Sequence, residues 1–330
     1  MKEKMWSILI QLGPNMSANI YHELQWDDEM WSWVLEKCVW AGINTIVLDV
    51  NDGIEYATHP ELALKGAWSR KRLRDELKRC NSMGITVIPK LNFATTHDRW
   101  LEVYARMIST PTYYQVANDL IKEVYELFGH PEYIHLGMDE EGAQYCAGRD
   151  YGAFRQGDLY WHDLRYLVDC VADTGAKPWI WSSCLFDHPD EFKKNFAPDE
   201  IIISPYHYNA FRPEHFTPIE SRIDYLVYYS EGKYKDMGIK FVEQDPYLVR
   251  FIEMAIPLLK EGYTYVPCAS VFNRCKYNHD DLIEYFRDNS PDEQILGYMT
   301  APWKKVIPEF ENFFEESFEA LKEAKEKFYY

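Results

Sequence analysis

Residues 133–141 read YIHLGMDEE: a short apolar run ends in a glycine, and three carboxylates follow at once. Adjacent acids at the end of a buried strand repel each other, and burial disfavours charge. Both effects raise the pKa of one member, which can then hold a proton near neutral pH. A protonated acid beside an ionised one is the equipment for breaking a glycosidic bond. Asp139 and Glu140 are therefore the catalytic candidates, with Glu141 read as a helix cap or rim acid. Other polar or aromatic groups stand at comparable points: Asp49 and Asp52 in LDVNDG, Asn92 and His97 in KLNFATTH, and Trp179 and Trp181 in KPWIWS. Each has a plainer reading. Acids after a strand also cap helices, Asp and Asn form turns, a lone loop His is common, and alternating Trp residues fill cores. What favours chemistry is that all of them fall at predicted strand ends.

The elements that would position these groups follow from periodicity. Apolar runs of strand length at 6–12, 44–50, 85–91, 133–138, 177–182, 200–206, 263–270 and 294–300 alternate with helical stretches. The helices are predicted over 27–42, 69–84, 113–129, 159–175, 246–262 and 279–288, with a last one at the C-terminal end, and Pro257 is expected to kink the fifth. Eight strands, apolar on both faces and nearly all separated by helices, predict an α/β fold: a (β/α)8 TIM barrel forming a single domain over 1–330. A doubly wound sheet is disfavoured, because LGPNMSAN after the first strand holds one glycine and no phosphate-binding turn. The stretch 207–245 reads as a long insertion after strand 6. In such barrels chemistry sits at the C-terminal strand ends, where Asp139 and Glu140 fall.

The net charge is −18, and no run of clustered Lys and Arg appears, which argues against nucleic acid and anionic membrane surfaces. No apolar run reaches about 18 residues, so no membrane span is expected. Aromatics make up 16%, including 11 Trp and 25 Tyr, and flat rings suit the apolar CH faces of sugars as well as a large core. Seven scattered cysteines with no CxxC pattern, and a start too short and polar for a secretion signal, indicate a reduced, cytoplasmic protein. No HExxH or similar spacing is present, so no metal and no cofactor are expected. Homo-oligomerisation is left open.

HLGMDE at 135–140 resembles the His-x-Gly-x-Asp-Glu signature of glycoside hydrolase family 20, the β-N-acetylhexosaminidases. AGINTIVLDVNDG, GITVIPKLNFATTH, GAKPWIWSS and ILGYMTAPW are similar to that family's second, third, fifth and eighth strand segments, in family order. The resemblance implies substrate-assisted hydrolysis of terminal β-linked N-acetylhexosamine, in which the sugar's 2-acetamido oxygen attacks C1. It implies Glu140 as general acid and base, and Asp139 as the group orienting the acetamido N–H. Trp181 and Trp303 would wall the pocket, His97 and Asp52 would support the acid, and His135 would be a buried strut. Tyr206, Tyr208 and Tyr298 are positional candidates for the group that holds the acetamido carbonyl.

The chain also departs from the family. An Arg that grips sugar hydroxyls near the end of the first strand is replaced by LIQLGPNMSAN, where Gln11 or Asn15 could substitute. Lys304 and Lys305 follow Trp303, where the family often has a sugar-binding Glu two residues on. The family's small N-terminal domain has no counterpart, since the first strand starts near residue 6. Two further readings stand beside the hexosaminidase: a barrel glycosidase on a sugar without the acetamido group, and a non-catalytic glycan-binding barrel.

Overall fold

The computed structural model describes residues 3–16, 19–141, 152–155, 157–211, 215 and 254–330. In chain order the elements are β1 (Met5–Gln11), α1 (Asp28–Ala41), β2 (Thr45–Asp49), α2 (Arg70–Ser82), β3 (Thr86–Lys90), α3 (Pro111–Leu127) and β4 (Tyr133–His135). They continue as α4 (Asp158–Ala172), β5 (Lys177–Trp181), α5 (Ser183–Asp187), α6 (Pro189–Asn195), β6 (Ile202–Ser204), β7 (Thr264–Tyr265) and β8 (Cys268–Ala269). The last are α7 (Asn278–Asn289), β9 (Gly297–Thr300) and α8 (Glu311–Tyr329).

Every strand pairing is parallel, in the order β7-β6-β5-β4-β3-β2-β1-β9-β8. The segments β7 and β8 are two halves of one strand, parted at Pro267. Proline has no N–H to give the ladder. Its carbonyl still accepts from Met299 N–H at 2.9 Å, and Cys268 N–H donates to Pro205 O at 2.8 Å. Bridges Tyr206 to Cys268 and Tyr265 to Ile295 complete the circuit, so eight strands close into the expected barrel.

Side chains alternate between two apolar layers, as strand geometry requires. Leu9, Val47, Ile88, Trp179, Ile202, Val266 and Met299 fill the barrel interior. Ile8, Ile10, Ile46, Leu48, Ile180, Ile203 and Tyr298 face the helices. The helices begin on side-chain caps: Asp27 accepts from Met30 N–H at 2.7 Å, Ser69 from Arg72 N–H at 3.1 Å and Thr110 from Tyr113 N–H at 3.3 Å.

The differences from the expected elements are local. The fourth strand ends at His135 rather than Met138, because Gly137 and Met138 take left-handed backbone angles. A 3-10 segment at Arg99–Arg106 and the short helices α5 and α6 were not expected from periodicity. Residues 254–260 are helical on both sides of Pro257 and the chain turns at 261–262; residues 246–253 of that predicted helix, and most of the 207–245 insertion, lie outside the described residues.

Gly297 marks the tightest contact of barrel closure. A Cβ there would sit 1.9 Å from the Met5 carbonyl oxygen, which is held by the β1–β9 ladder and cannot step aside. Gly297→Ala is expected to destabilise the protein by about 1–3 kcal/mol, read as a lower urea midpoint with an unchanged slope.

Candidate active site

The acids sit on an unusual piece of backbone. Gly137, Met138 and Glu140 have φ of 71°, 62° and 46°, on either side of Asp139. A non-glycine residue at positive φ is costly, and such strain gathers at functional sites. Asn92 enforces the turn. A Cβ on Gly137 would fall 2.0 Å from Asn92 Oδ1, so only glycine passes there. Asn92 is itself fixed: its N–H donates to Asn51 Oδ1 at 3.0 Å, its carbonyl accepts from Trp100 Nε1 at 2.7 Å, and its Nδ2 donates to Asp139 Oδ1 at 3.1 Å.

His97 lies between the two acids. Its Nε2 is 3.3 Å from Asp139 Oδ2 and 3.3 Å from Glu140 Oε2, while Nδ1 is 3.3 Å from the Met16 carbonyl. Both ring nitrogens face acceptors, which suits an imidazolium with two N–H groups. Burial works against that charge, but Asp139 and Glu140 outweigh it and push the His97 pKa up to about 10. Burial likewise opposes charge on Asp139, and there His97, Lys90 and the Asn92 amide prevail, holding the carboxyl well below its ordinary value. The sequence reading expected mutual repulsion to raise one acid of the pair. The structure instead inserts a cation between them, so repulsion is not what governs Asp139. Asp139 is buried, whereas the Glu140 side chain is 36% exposed and reaches toward the mouth.

Below the acids lies a second charged layer inside the barrel. Lys90 and Asp49 form an ion pair with both side chains fully buried. His135 is buried between Trp179 and Trp181, with ring centroids at 5.0 and 4.9 Å. Its Nδ1 accepts the Gly137 N–H at 3.0 Å, and burial together with the Lys90 charge drives its pKa well below the ordinary value. His135 is therefore a neutral imidazole that props the turn. Asp52 is also buried. It accepts from Asn15 Nδ2 at 2.7 Å, and burial pushes its pKa up to about 7. It connects to the mouth through Asn15, which also exchanges hydrogen bonds with the Tyr21 backbone.

The opposite wall is aromatic. Trp181 lies 5.7 Å from Trp303 and 5.5 Å from Tyr206, Tyr206 is 5.4 Å from Tyr208, and Tyr208 is 6.4 Å from Trp303, centroid to centroid. Tyr206 Oη and Ser183 Oγ share a hydrogen bond of 2.6 Å. Asp139 is close enough for its charge to add to the burial that raises the Tyr208 pKa. The indole N–H of Trp181 is buried without a hydrogen-bond partner among the described residues.

Two residues stand apart from their expected roles. Tyr298 is not in the site. It alternates with inward-facing Met299 on β9, stacks on Trp6 at 5.5 Å and shares a 2.8 Å hydrogen bond with Tyr329 in the helix layer. Glu141 is neither a cap nor a rim acid. Its side chain is buried, with Oε1 accepting from Thr95 N–H at 2.9 Å and Arg155 Nη1 at 2.8 Å, and Oε2 from Thr95 Oγ at 2.6 Å. Arg155 donates onward to Asp163 at 2.8 Å, the Phe93 carbonyl at 3.1 Å and Tyr113 Oη at 2.7 Å. This buried cation latches the acid turn to α4 and to the loop after β3. Sequence reasoning missed Arg155, which has no spacing signal, and Lys90, whose signal was a charge within an apolar strand.

A cavity of about 830 Å³ opens at the other end of the barrel, among Thr86, Ile88, Tyr133 and Leu296. It lies at the N-terminal strand ends, away from the acids. The convergent charged and aromatic groups, at the C-terminal ends, mark the functional mouth.

No family model matches the chain, and no curated protein matches it. Solved structures do. A β-N-acetylhexosaminidase from Bacteroides fragilis superposes with a TM-score of 0.59 at 13% identity, covering 95% of this chain and 65% of that one. A family 20 exo-β-N-acetylglucosaminidase from Vibrio harveyi, solved with N-acetylglucosamine, gives 0.58 at 12% identity over 99% of this chain and 58% of that one. Dispersin B gives 0.58 at 13% identity, over 98% and 99% of the two chains. This chain thus spans less than two thirds of the first two proteins and nearly all of the third. The class defined here is a fold: the (β/α)8 barrel on which these β-N-acetylhexosaminidases are built. Among the described residues no helix is long and apolar enough to cross a membrane.

Two outcomes are expected from these geometries. A folded-state pKa above the ordinary 6.5 means that the His97 contribution to stability is full below about pH 6.5 and is lost as pH rises through about 10. The lowered Asp139 pKa works the other way: its contribution is present above its ordinary 3.8 and is lost as pH falls through the folded value. His97→Gln should therefore destabilise most in the window between, and the wild-type imidazole should titrate near pH 10 by NMR. A midpoint near 6.5 would remove the cation from the site. Arg155→Met leaves Glu141 and Asp163 buried without their cation and should cost about 3–5 kcal/mol in urea unfolding.

Proposed function

We propose that the protein is a retaining exo-glycosidase that hydrolyses terminal β-linked N-acetylhexosamine by substrate-assisted catalysis. The carrying observation is the pair Asp139 and Glu140, bridged by His97 at the barrel mouth and opposed by the Trp181, Tyr206, Tyr208 and Trp303 wall. The shared fold with solved β-N-acetylhexosaminidases supports the reading.

In this reading the aromatic wall takes the sugar's CH faces and the acetamido methyl. Asp139 stays ionised, accepts the acetamido N–H and offsets positive charge as the acetamido oxygen attacks C1. The C1–oxygen bond to the leaving group breaks as Glu140 delivers its proton to that oxygen. The exposed position of Glu140 suits contact with the leaving group. His97, within 3.3 Å of Glu140, stays an imidazolium and holds the side chain at the mouth. Water, deprotonated by Glu140, then attacks C1 and reopens the cyclic oxazolinium with retention. Asp52 supports this network at one remove, through Asn15. The ligand is a small molecule or an oligosaccharide end. Five free, buried cysteines, at 38, 80, 170, 268 and 275, support a reduced cytoplasmic setting.

Paired aryl β-glycosides with and without the 2-acetamido group test the proposal. Turnover of the acetamido sugars alone is expected, with inhibition by a thiazoline mimic of the cyclic intermediate. Asp139→Asn should lower kcat by about 10²-fold or more, as loss of a preorganised charge does. Equal turnover of sugars lacking the acetamido group would favour an ordinary two-carboxylate glycosidase. Sugar binding with no turnover of any substrate would favour the non-catalytic barrel.

A further inference from the structure

Lys304 and Lys305 follow Trp303 directly at the C-terminal rim. Both are part-buried, and both are held by aromatic rings rather than acids. The Lys304 ammonium lies 4.4 Å from the Phe313 ring centroid, 5.3 Å from Phe272 and 5.4 Å from Phe310. The Lys305 ammonium lies 4.1 Å from the Tyr21 centroid and donates to Tyr21 Oη at 2.8 Å. Among the described residues, neither forms an ion pair with a carboxylate. Nearby Arg274 does, to both oxygens of Glu316 at 2.8 Å, so that acid is already taken. Burial and the neighbouring charges of Arg274 and Lys305 push the Lys304 pKa down.

Two adjacent, partly desolvated cations without a counterion are unfavourable by themselves. They are the more conspicuous in a chain with 53 acids and 35 Lys and Arg. Rings restrict where the ammonium groups can go without satisfying their N–H donors. Each ammonium has three donors; Lys305 gives one to Tyr21, and among the described residues Lys304 has no protein acceptor. The remaining donors are left for an oxyanion of a ligand at the rim that follows Trp303.

We infer that Lys304 and Lys305 bind an anionic substituent, a sulfate or carboxylate, on the sugar ligand. The inference rests on the sugar-binding reading of the mouth and specifies its substrate class: acidic rather than neutral N-acetylhexosaminides. The anion lies either on the hexosamine ring or on the neighbouring residue of the glycan.

The test compares a neutral aryl β-N-acetylglucosaminide, its 6-sulfated form, and a β-N-acetylglucosaminide with a glucuronic acid aglycone. At least one acidic substrate should exceed the neutral one in kcat/KM by about tenfold, as expected for a hydrogen bond to a charged group. That preference should shrink with added salt and vanish in the Lys304→Gln/Lys305→Gln double variant, its acidic-to-neutral ratio of kcat/KM falling to about one. The favoured acidic substrate identifies the source of the anion. Neutral turnover equal to or above both acidic substrates, or a preference that survives in the double variant, overturns the inference and leaves the hydrolase reading intact. Calorimetric binding of N-acetylglucosamine 6-sulfate and of N-acetylglucosaminyl-glucuronate, each against N-acetylglucosamine, separates the two claims. Charge-dependent binding of either acidic sugar that the double variant loses supports the inference even if nothing is hydrolysed. No preference for either acidic sugar, in binding as in turnover, overturns it.

Discussion

A single buried cation decides how two neighbouring carboxylates can share the end of one strand. Asp139 and Glu140 are consecutive, and their charges would oppose each other in a medium poorer in water than the surface. His97, arriving from the loop after β3, touches both. Three constraints follow. The β3 loop must hold the imidazole at the mouth, so its nitrogens are split between the acids and the Met16 carbonyl. The backbone of 137–140 must turn both acids toward one ring, which demands positive φ at Gly137, Met138 and Glu140. That strained turn must in turn be clamped, and Asn92, His135 and the Glu141–Arg155 pair clamp it from three sides.

The barrel interior beneath repeats the same rule of local neutrality. Asp49 is matched by Lys90. Lys90 also helps hold Asp139 ionised and keeps His135 neutral. Cation and anion thus alternate upward from Lys90 and Asp49 to Asp139, His97 and Glu140. Removing one member would act on the next, because the pKa values of Asp49, Asp139 and His97 are set mainly by burial against their neighbours' charge. The asymmetry this creates is chemically useful: Asp139 is locked in the ionised form, while Glu140, more exposed, remains free to meet a ligand.

Much of this was legible in the sequence for identifiable reasons. Eight apolar runs at strand length, spaced by helical periods, specify the barrel because both faces of each strand are covered. Asp139, Glu140 and His97 were legible from their positions at strand ends, and the structure brings them together with Trp181, Trp303 and Tyr206. Tyr298 was misplaced because a strand residue was chosen by proximity to the end, although the alternation of Tyr298 and Met299 puts only one of them inside. Glu141 was misjudged because its partner, Arg155, lies beyond any local pattern and is brought close only by the packing of α4. The expected rise in an acid's pKa failed for a related reason. Charge pairing across three loops sets it, and adjacency in sequence reports only the repulsive half.

The charge at one side of the mouth follows from which residues stand at the adjacent ends of β1 and β9. Where the resembling family carries an Arg near the end of the first strand, this chain has neutral Asn15 against Asp52. A guanidinium there would favour the Asp52 carboxylate; an amide does so less, and burial leaves its pKa at about 7. Positive charge reappears beside it: Lys305 bridges Gln11 at the end of β1 and donates to Tyr21, whose backbone binds Asn15, and Lys304 precedes it. A neutral hydroxyl is read well by an amide or a guanidinium, whereas an ammonium without an acid partner gains most from an anion. The acid layer and the rim are thus held by separate contacts. The acids and His97 are fixed by Asn92, Lys90 and the Met16 carbonyl, none of which comes from the rim lysines, and this independence leaves the rim free to change sign.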